Sequence, residues 1–215
     1  MEVPITDVDR LYVYAEDVWR KNVGHSRKDF DKNADTRTKE KFINDRVVGK
    51  CGEMAFCAFI EHVCGYTAEP NLTVYDTGGK EEYADIESIN GSPPTEQLDI
   101  KTTKPHNKWF TMREAVFNTH SPSDPVALAL VDPDTVHRDA NIIMVDLVGW
   151  MRLNDFSHYF KRGDRLTIPG TDRQIGPPLK TNNYAYPIEN LSRCTQEEWE
   201  YFVHIISDVP FNQSE

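Results

Sequence analysis

Cysteine is scarce in this chain, with four in 215 residues. That is too few for a disulfide scaffold and predicts reduced thiols. Long apolar runs are also missing. The best, residues 125–131 and 142–150, fall short of a membrane span, and Asp146 interrupts the second. Residues 1–10 carry no secretory leader pattern, so a cytoplasmic protein without membrane association is expected. Positive charge is in deficit: 24 Lys and Arg stand against 35 Asp and Glu, a net charge of −11 with histidine neutral. A generally basic, histone-like nucleic-acid coat is thereby excluded. The remaining composition, 39% hydrophobic and 27% charged, suits one compact domain with a sizeable core and not two large ones.

Several chemistry-bearing motifs are absent too. The seven histidines form no zinc-type pair and no His-Glu-x-x-His. Gly78-Gly79-Lys80 lacks the leading glycine and the following Ser or Thr of a phosphate loop. No Gly-x-Ser-x-Gly elbow is present. Cys51 and Cys57 lie on one helical stretch without metal spacing and read as core.

The net charge hides an asymmetry. Residues 20–50 hold ten basic against five acidic side chains, so this stretch is +5 and the remainder −16. A local positive patch on an acidic body can steer a polyanion to one face.

Apolar periodicity predicts helices over residues 7–22 and 39–63, and another over 195–207 that opens with a Thr195/Glu198 capping box. Residues 24–38 read as a polar loop, so residues 1–38 form an N-terminal helix and basic loop extension of a single domain, 1–215. Strands are expected near 72–75, 83–89, 97–103, 126–131, 142–148 and 184–188, with a turn at Gly78-Gly79. A short helix is expected over 154–159, and 163–187 should be mostly loop. The fold class is α/β (α+β), with a central mixed β-sheet flanked by helices.

Three of these elements carry chemistry. Glu53, in Gly49-Lys50-Cys51-Gly52-Glu53, falls at the edge of a helix's apolar face. Asp85 lies on one strand, and Asp99 and Lys101 on the next, with Asn90-Gly91-Ser92-Pro93-Pro94 as the turn between them. If these strands form a hairpin centred near Ser92, Asp85 stands opposite Asp99, while period two puts Lys101 on the same face. Opposed carboxylates need a compensator, and a hard divalent cation suits their oxygens. The proline pair can shift this register. Lys104, His106, Lys108 and Trp109 follow directly and could contact a phosphate backbone.

The set from Gly49-x-x-Gly-Glu53 through Asp85 to Asp99-Ile-Lys101-Thr102 resembles the PD-(D/E)XK nuclease superfamily, of prokaryotic or phage type. Val148-Gly149-Trp150 with Asp155-Phe156, and Tyr184-x-Tyr-Pro-Ile188 with Leu191, look like late strands of some members. The resemblance spans about residues 40–191, with one departure: Ala84-Asp85 stands where the family has Pro-Asp. It implies a restriction-endonuclease-like core and a Mg²⁺-dependent deoxyribonuclease, with Mn²⁺ able to substitute. Carried over, Asp85, Asp99 and the Ile100 backbone carbonyl are metal ligands, Lys101 is the catalytic lysine, and Glu53 is the helical acid and a further ligand. Glu87 and Asp76 are substitutes for Asp85. Lys39, Lys41, Arg46, Lys50, Lys104 and Lys108 become the expected DNA contacts. A homodimer fits double-strand cutting at a symmetric site. The alternative is a catalytically silent module of the same fold that binds DNA or a protein partner.

Overall fold

The computed structural model describes residues 1–22, 38–74 and 85–210. Its elements in chain order are β1 (Glu2–Ile5), α1 (Val8–Asn22), α2 (Lys39–Phe59), β2 (Ala68–Pro70), β3 (Ile86–Ile89), β4 (Asp99–Thr103), β5 (Trp109–Arg113), α3 (Glu114–Phe117), β6 (Pro125–Leu130), β7 (Ile143–Arg152), β8 (His158–Phe160), β9 (Leu166–Thr167), β10 (Gln174–Ile175), β11 (Asn183–Pro187) and α4 (Gln196–Ile205). The result is a mixed α+β architecture.

The central sheet runs β1-β7-β6-β4 and is mixed, because β4 is parallel to β6 while β6–β7 and β7–β1 are antiparallel. Strand β6 is buried on both faces and shows why. Ala127, Ala129 and Val131 face the larger core, while Val126, Leu128 and Leu130 face the smaller one. The larger core holds Leu11 and Ala15 of α1, Phe56 and Phe59 of α2, and Trp199 and Phe202 of α4, all essentially without exposure. Aromatic rings tie α2 to α4: Phe56 lies 5.8 Å from Trp199 and 5.9 Å from Phe202. The smaller core lies under a second sheet, β5-β11-β8, through Phe110 and Met112.

Helix α2 starts at Thr38, whose hydroxyl accepts the Lys41 N–H at 3.3 Å. It runs into one π-helical turn, Ile60–Cys64, which ends at Gly65 with φ +74°. Cys51 lies wholly inside it, and burial pushes its thiol up to about 12, so it packs as an inert apolar group. Helix α4 has the expected capping box, with Glu198 N–H on Thr195 Oγ1 and Thr195 N–H on Glu198 Oε2 at 2.7 Å. Among the described residues, no helix is long and apolar enough to cross a membrane.

Several local expectations are corrected. The strand near 72–75 lies earlier, at Ala68–Pro70, because Asn71 turns the chain: its side-chain oxygen takes the Thr73 N–H at 3.1 Å. Residues 71–74 form no regular element. The 24–38 loop (apart from Thr38), Asp76, the Gly78-Gly79 turn and Ala84 lie outside the described residues. The strand after them begins at Ile86 and leaves Asp85 in a bend. The expected hairpin between β3 and β4 does not form: β3 pairs with β2, and β4 pairs with β6. The turn closes too early for it. Ile89 and Ser92 exchange backbone hydrogen bonds around Asn90 (φ 51°) and Gly91 (φ 78°), and Pro93-Pro94 then offers no N–H to extend the ladder. Residues 154–159 form no helix. A 3-10 turn, Leu153–Asp155, leads into β8, which pairs with β11. Within 163–187, β9 and β10 make a short antiparallel ribbon.

Candidate active site

Strand β4 is the edge of the central sheet, and the site is built on that edge. An edge strand presents N–H and C=O groups that no neighbouring strand satisfies. Asp85 fills this need. Its Oδ2 accepts the Ile100 N–H at 2.6 Å, and its own N–H reaches the Leu98 carbonyl at 3.4 Å. Asp85 therefore meets Asp99 without a hairpin: the bend before β3 lays it along the open side of β4. In an extended strand a residue's N–H and C=O point to the same side, so the Ile100 carbonyl faces that open side too.

Alternation along β4 sorts the rest. Ile100 and Thr102 face α2 at Gly52, where an added Cβ would stand 3.1 Å from Ile100 Cγ2 and 2.5 Å from Thr102 Oγ1. The Thr102 hydroxyl accepts the Gly52 N–H and donates to the Gly49 carbonyl, each at 3.0 Å. This clasp holds α2 close to the strand and sets Glu53 beside Asp85 and Lys101. Asp99 and Lys101 share the other face, and Lys101 Nζ pairs with Asp99 Oδ1.

Glu53 and Asp99 are both buried. Lys50 Nζ pairs with Glu53 Oε2, donates to the Asn71 carbonyl at 3.0 Å and lies 5.6 Å from the Tyr14 ring centroid. Three carboxylates thus crowd together against two ammonium groups. Burial, then repulsion from Asp99, lifts Asp85 to about 7 against the pull of Lys101 and Lys50. Burial, then repulsion from Asp85, raises Glu53 well above the usual carboxylate range. Burial disfavours the Lys101 cation, but Asp99 and Asp85 outweigh it and raise its pKa.

Of the expected contacts, Glu53, Asp85, Asp99 and Lys101 come together. Glu87 does not join them; it is exposed on the outer side of β3. Lys39, Lys41 and Arg46 are exposed on the first half of α2, and Lys104 and Lys108 are exposed on the turn after β4. Lys50, expected among the surface cations, is instead drawn into the carboxylate cluster.

One residue of the cluster carries no sequence signal. His120 Nε2 lies 3.7 Å from Asp99 Oδ2, and its Nδ1 lies 3.5 Å from Asp124 Oδ2. Neither approach is a hydrogen bond, and Asp99 Oδ2 and His120 Nδ1 are both buried without a hydrogen-bond partner. The turn before β6 brings His120 here, and its local sequence forms no motif that would have shown it.

Among the described residues, no group of three or more His, Cys, Asp or Glu side chains is arranged to hold a metal ion. The lysines occupy oxygens that a cation would need. The donor chemistry nonetheless fits a hard divalent cation: all the carboxylates offer oxygen, and Asp99 Oδ2 has no hydrogen-bond partner.

Compared with protein-family models, with curated proteins and with solved structures, the chain matches none.

Proposed function

We propose that this chain is a metal-dependent nuclease with a restriction-endonuclease-like core that hydrolyses DNA phosphodiester bonds. The observation that carries the reading is the convergence of Glu53, Asp85, Asp99 and Lys101 on one open sheet edge, with Asp99 Oδ2 buried and unpartnered. Asp85, Asp99 and the Ile100 carbonyl would hold Mg²⁺ or Mn²⁺, with Glu53 as a further ligand. Such an ion supplies charge neutralisation at the scissile phosphate and a lowered pKa for water.

The chain's own groups do the rest. Lys101 carries a firmly retained proton beside Asp99 and stabilises negative charge that develops on the phosphate. Lys50 anchors Glu53, and the Thr102 clasp fixes the distance between helix and strand. Asp99 would offer the ion its unpartnered Oδ2, while Lys101 stays paired with Oδ1 and keeps its ammonium at the same edge.

A second reading draws on the same ion pairs. Carboxylates already neutralised by Lys50 and Lys101 also suit a silent module that binds DNA or a protein. A single assay separates the two. Wild type, Asp99→Ala and Lys101→Ala are incubated with supercoiled plasmid, linear duplex, single-stranded DNA and RNA, in Mg²⁺, Mn²⁺ or EDTA. The nuclease reading expects metal-dependent DNA cutting that both variants lose, with DNA binding at least partly retained. Undiminished cutting by a clean Asp99→Ala preparation removes the site assignment. No cutting by folded wild type selects the binding module.

A further inference from the structure

The turn that follows β4 directly, the strand β5 and the β9–β10 ribbon carry an excess of positive charge. The turn after β4 and the strand β5 supply Lys104, Lys108 and Arg113, and residues 104–113 contain no acid. Residues 161–180, which include β9 and β10, hold five basic against two acidic residues. Each segment is thus +3 on a chain whose net charge is −11. Lys104, Lys108, Arg113, Arg162, Arg165 and Arg173 are all exposed. Arg165 donates to the Gly176 carbonyl at 3.0 Å.

The ribbon is anchored beside the site. The Trp109 indole donates to the Thr167 carbonyl, and its ring meets His158 and Phe160 edge-on at centroid distances of 4.8 and 5.3 Å. The Lys108 carbonyl takes the Ile188 N–H at 3.0 Å, which ties the same turn to the end of β11. Trp109 is buried in these contacts. This indole is therefore used to hold the ribbon and is not presented for base stacking. Around the ribbon the exposed guanidinium and ammonium groups outnumber the exposed carboxylates of Asp164 and Asp172, and such cations contact phosphates and carry no base preference.

We infer that the β9–β10 ribbon and the turn after β4 form a docking surface for the phosphate backbone of duplex DNA, continuous with the edge that carries Asp99 and Lys101. This rests on the nuclease reading and adds to it the surface that holds the substrate. A preformed, anchored basic arm needs little backbone ordering to bind, and a net charge of −11 on the whole chain favours docking at its locally basic segments.

The test is fluorescence anisotropy of a short labelled duplex over a series of KCl concentrations in EDTA, so that binding is read without cleavage. Arg162→Glu/Arg173→Glu is compared with wild type and with Arg10→Glu/Arg138→Glu. The latter alters net charge equally at arginines already paired with Glu69, Glu16 and Asp9. The ribbon variant should lose about tenfold or more in affinity and flatten the log K against log salt slope by about two, because each phosphate contact contributes close to one. The control variant should keep the wild-type slope. Equal affinity and slope for ribbon variant and wild type overturn the inference; if wild type still cuts plasmid, the nuclease reading survives that result. Tighter binding to an RNA hairpin than to the DNA duplex also overturns it. A wild type that neither binds duplex nor cuts plasmid removes both.

Discussion

Lys50 and Glu53 stand one helical turn apart with side chains only 16% and 6% exposed. A pair this buried is costly to break from one side, because the survivor stays buried without its partner, as a lone charge or as a carboxyl that must take up a proton. Lys50→Met should therefore destabilise the protein by about 3–5 kcal/mol in urea unfolding. Adding Glu53→Gln should return much of that loss, because the stranded carboxylate disappears. If the two changes add without coupling, the pair does not hold this part of the site together. Lys50 behaves unlike Lys39 and Lys41 because of where it lies along the helix: those two sit in the exposed first turn of α2, whereas Lys50 lies deep in it and is held by Glu53 and the Asn71 carbonyl.

At the scale of elements, the contact between α2 and β4 decides the site. Alanine is the better helix former than glycine by about 1 kcal/mol. At Gly52 that gain is outweighed, because the new Cβ would stand 2.5 Å from Thr102 Oγ1 and 3.0 Å from Ala129 Cβ. Gly52→Ala should lose about 1–3 kcal/mol net. The loss should shrink in a Thr102→Ala background, where the colliding oxygen is gone, and a chemical-denaturation cycle measures this. An unchanged penalty would mean that Thr102 is not the obstacle.

Much at this scale was legible in the sequence. Helical periodicity located α1, α2 and α4, and continuous β-branched runs located β6 and β7. Glu53, Asp85, Asp99 and Lys101, singled out on a helix and two strands and by the family resemblance, lie close together in the fold. The pairing of β3 and β4 was not legible, because two prolines and a tight turn made the hairpin register undecidable from local pattern alone. The meeting of Asp85 with Asp99 survived that error, since an unsatisfied edge N–H is as good a partner for a carboxylate as a cross-strand position. His120 was invisible for a different reason: Asp124 lies four residues on in an irregular turn, and Asp99 comes from a remote strand, so no regular period marks the three as one group.

At the scale of the whole molecule, acid stability depends on where carboxylates are held. Asp146, on β7 opposite Glu2 of β1, joins the central sheet to the segment that leads into α4. The Arg193 guanidinium grips it with both arms, at 3.0 and 2.8 Å. Burial alone would raise the Asp146 pKa, but the hydrogen bonds to its carboxylate outweigh this and lower it from the ordinary 3.8. A carboxyl with a lowered folded pKa binds fewer protons in the folded than in the unfolded state. Its stabilisation is complete above the unfolded value and is lost as pH falls through the folded value. The absolute acid transition cannot be assigned to it, because 35 Asp and Glu are present in the chain. The difference between wild type and Arg193→Ala isolates it, since the other carboxyls cancel. That difference in Tm should be small and constant from pH 7 down to about 4, because Arg193 is largely exposed and such pairs contribute roughly 0–1 kcal/mol. It should then close below about pH 4, where protonation removes what Arg193 holds. A gap that persists undiminished to the lowest measurable pH would assign the Arg193 contribution to packing instead of to the charge on Asp146.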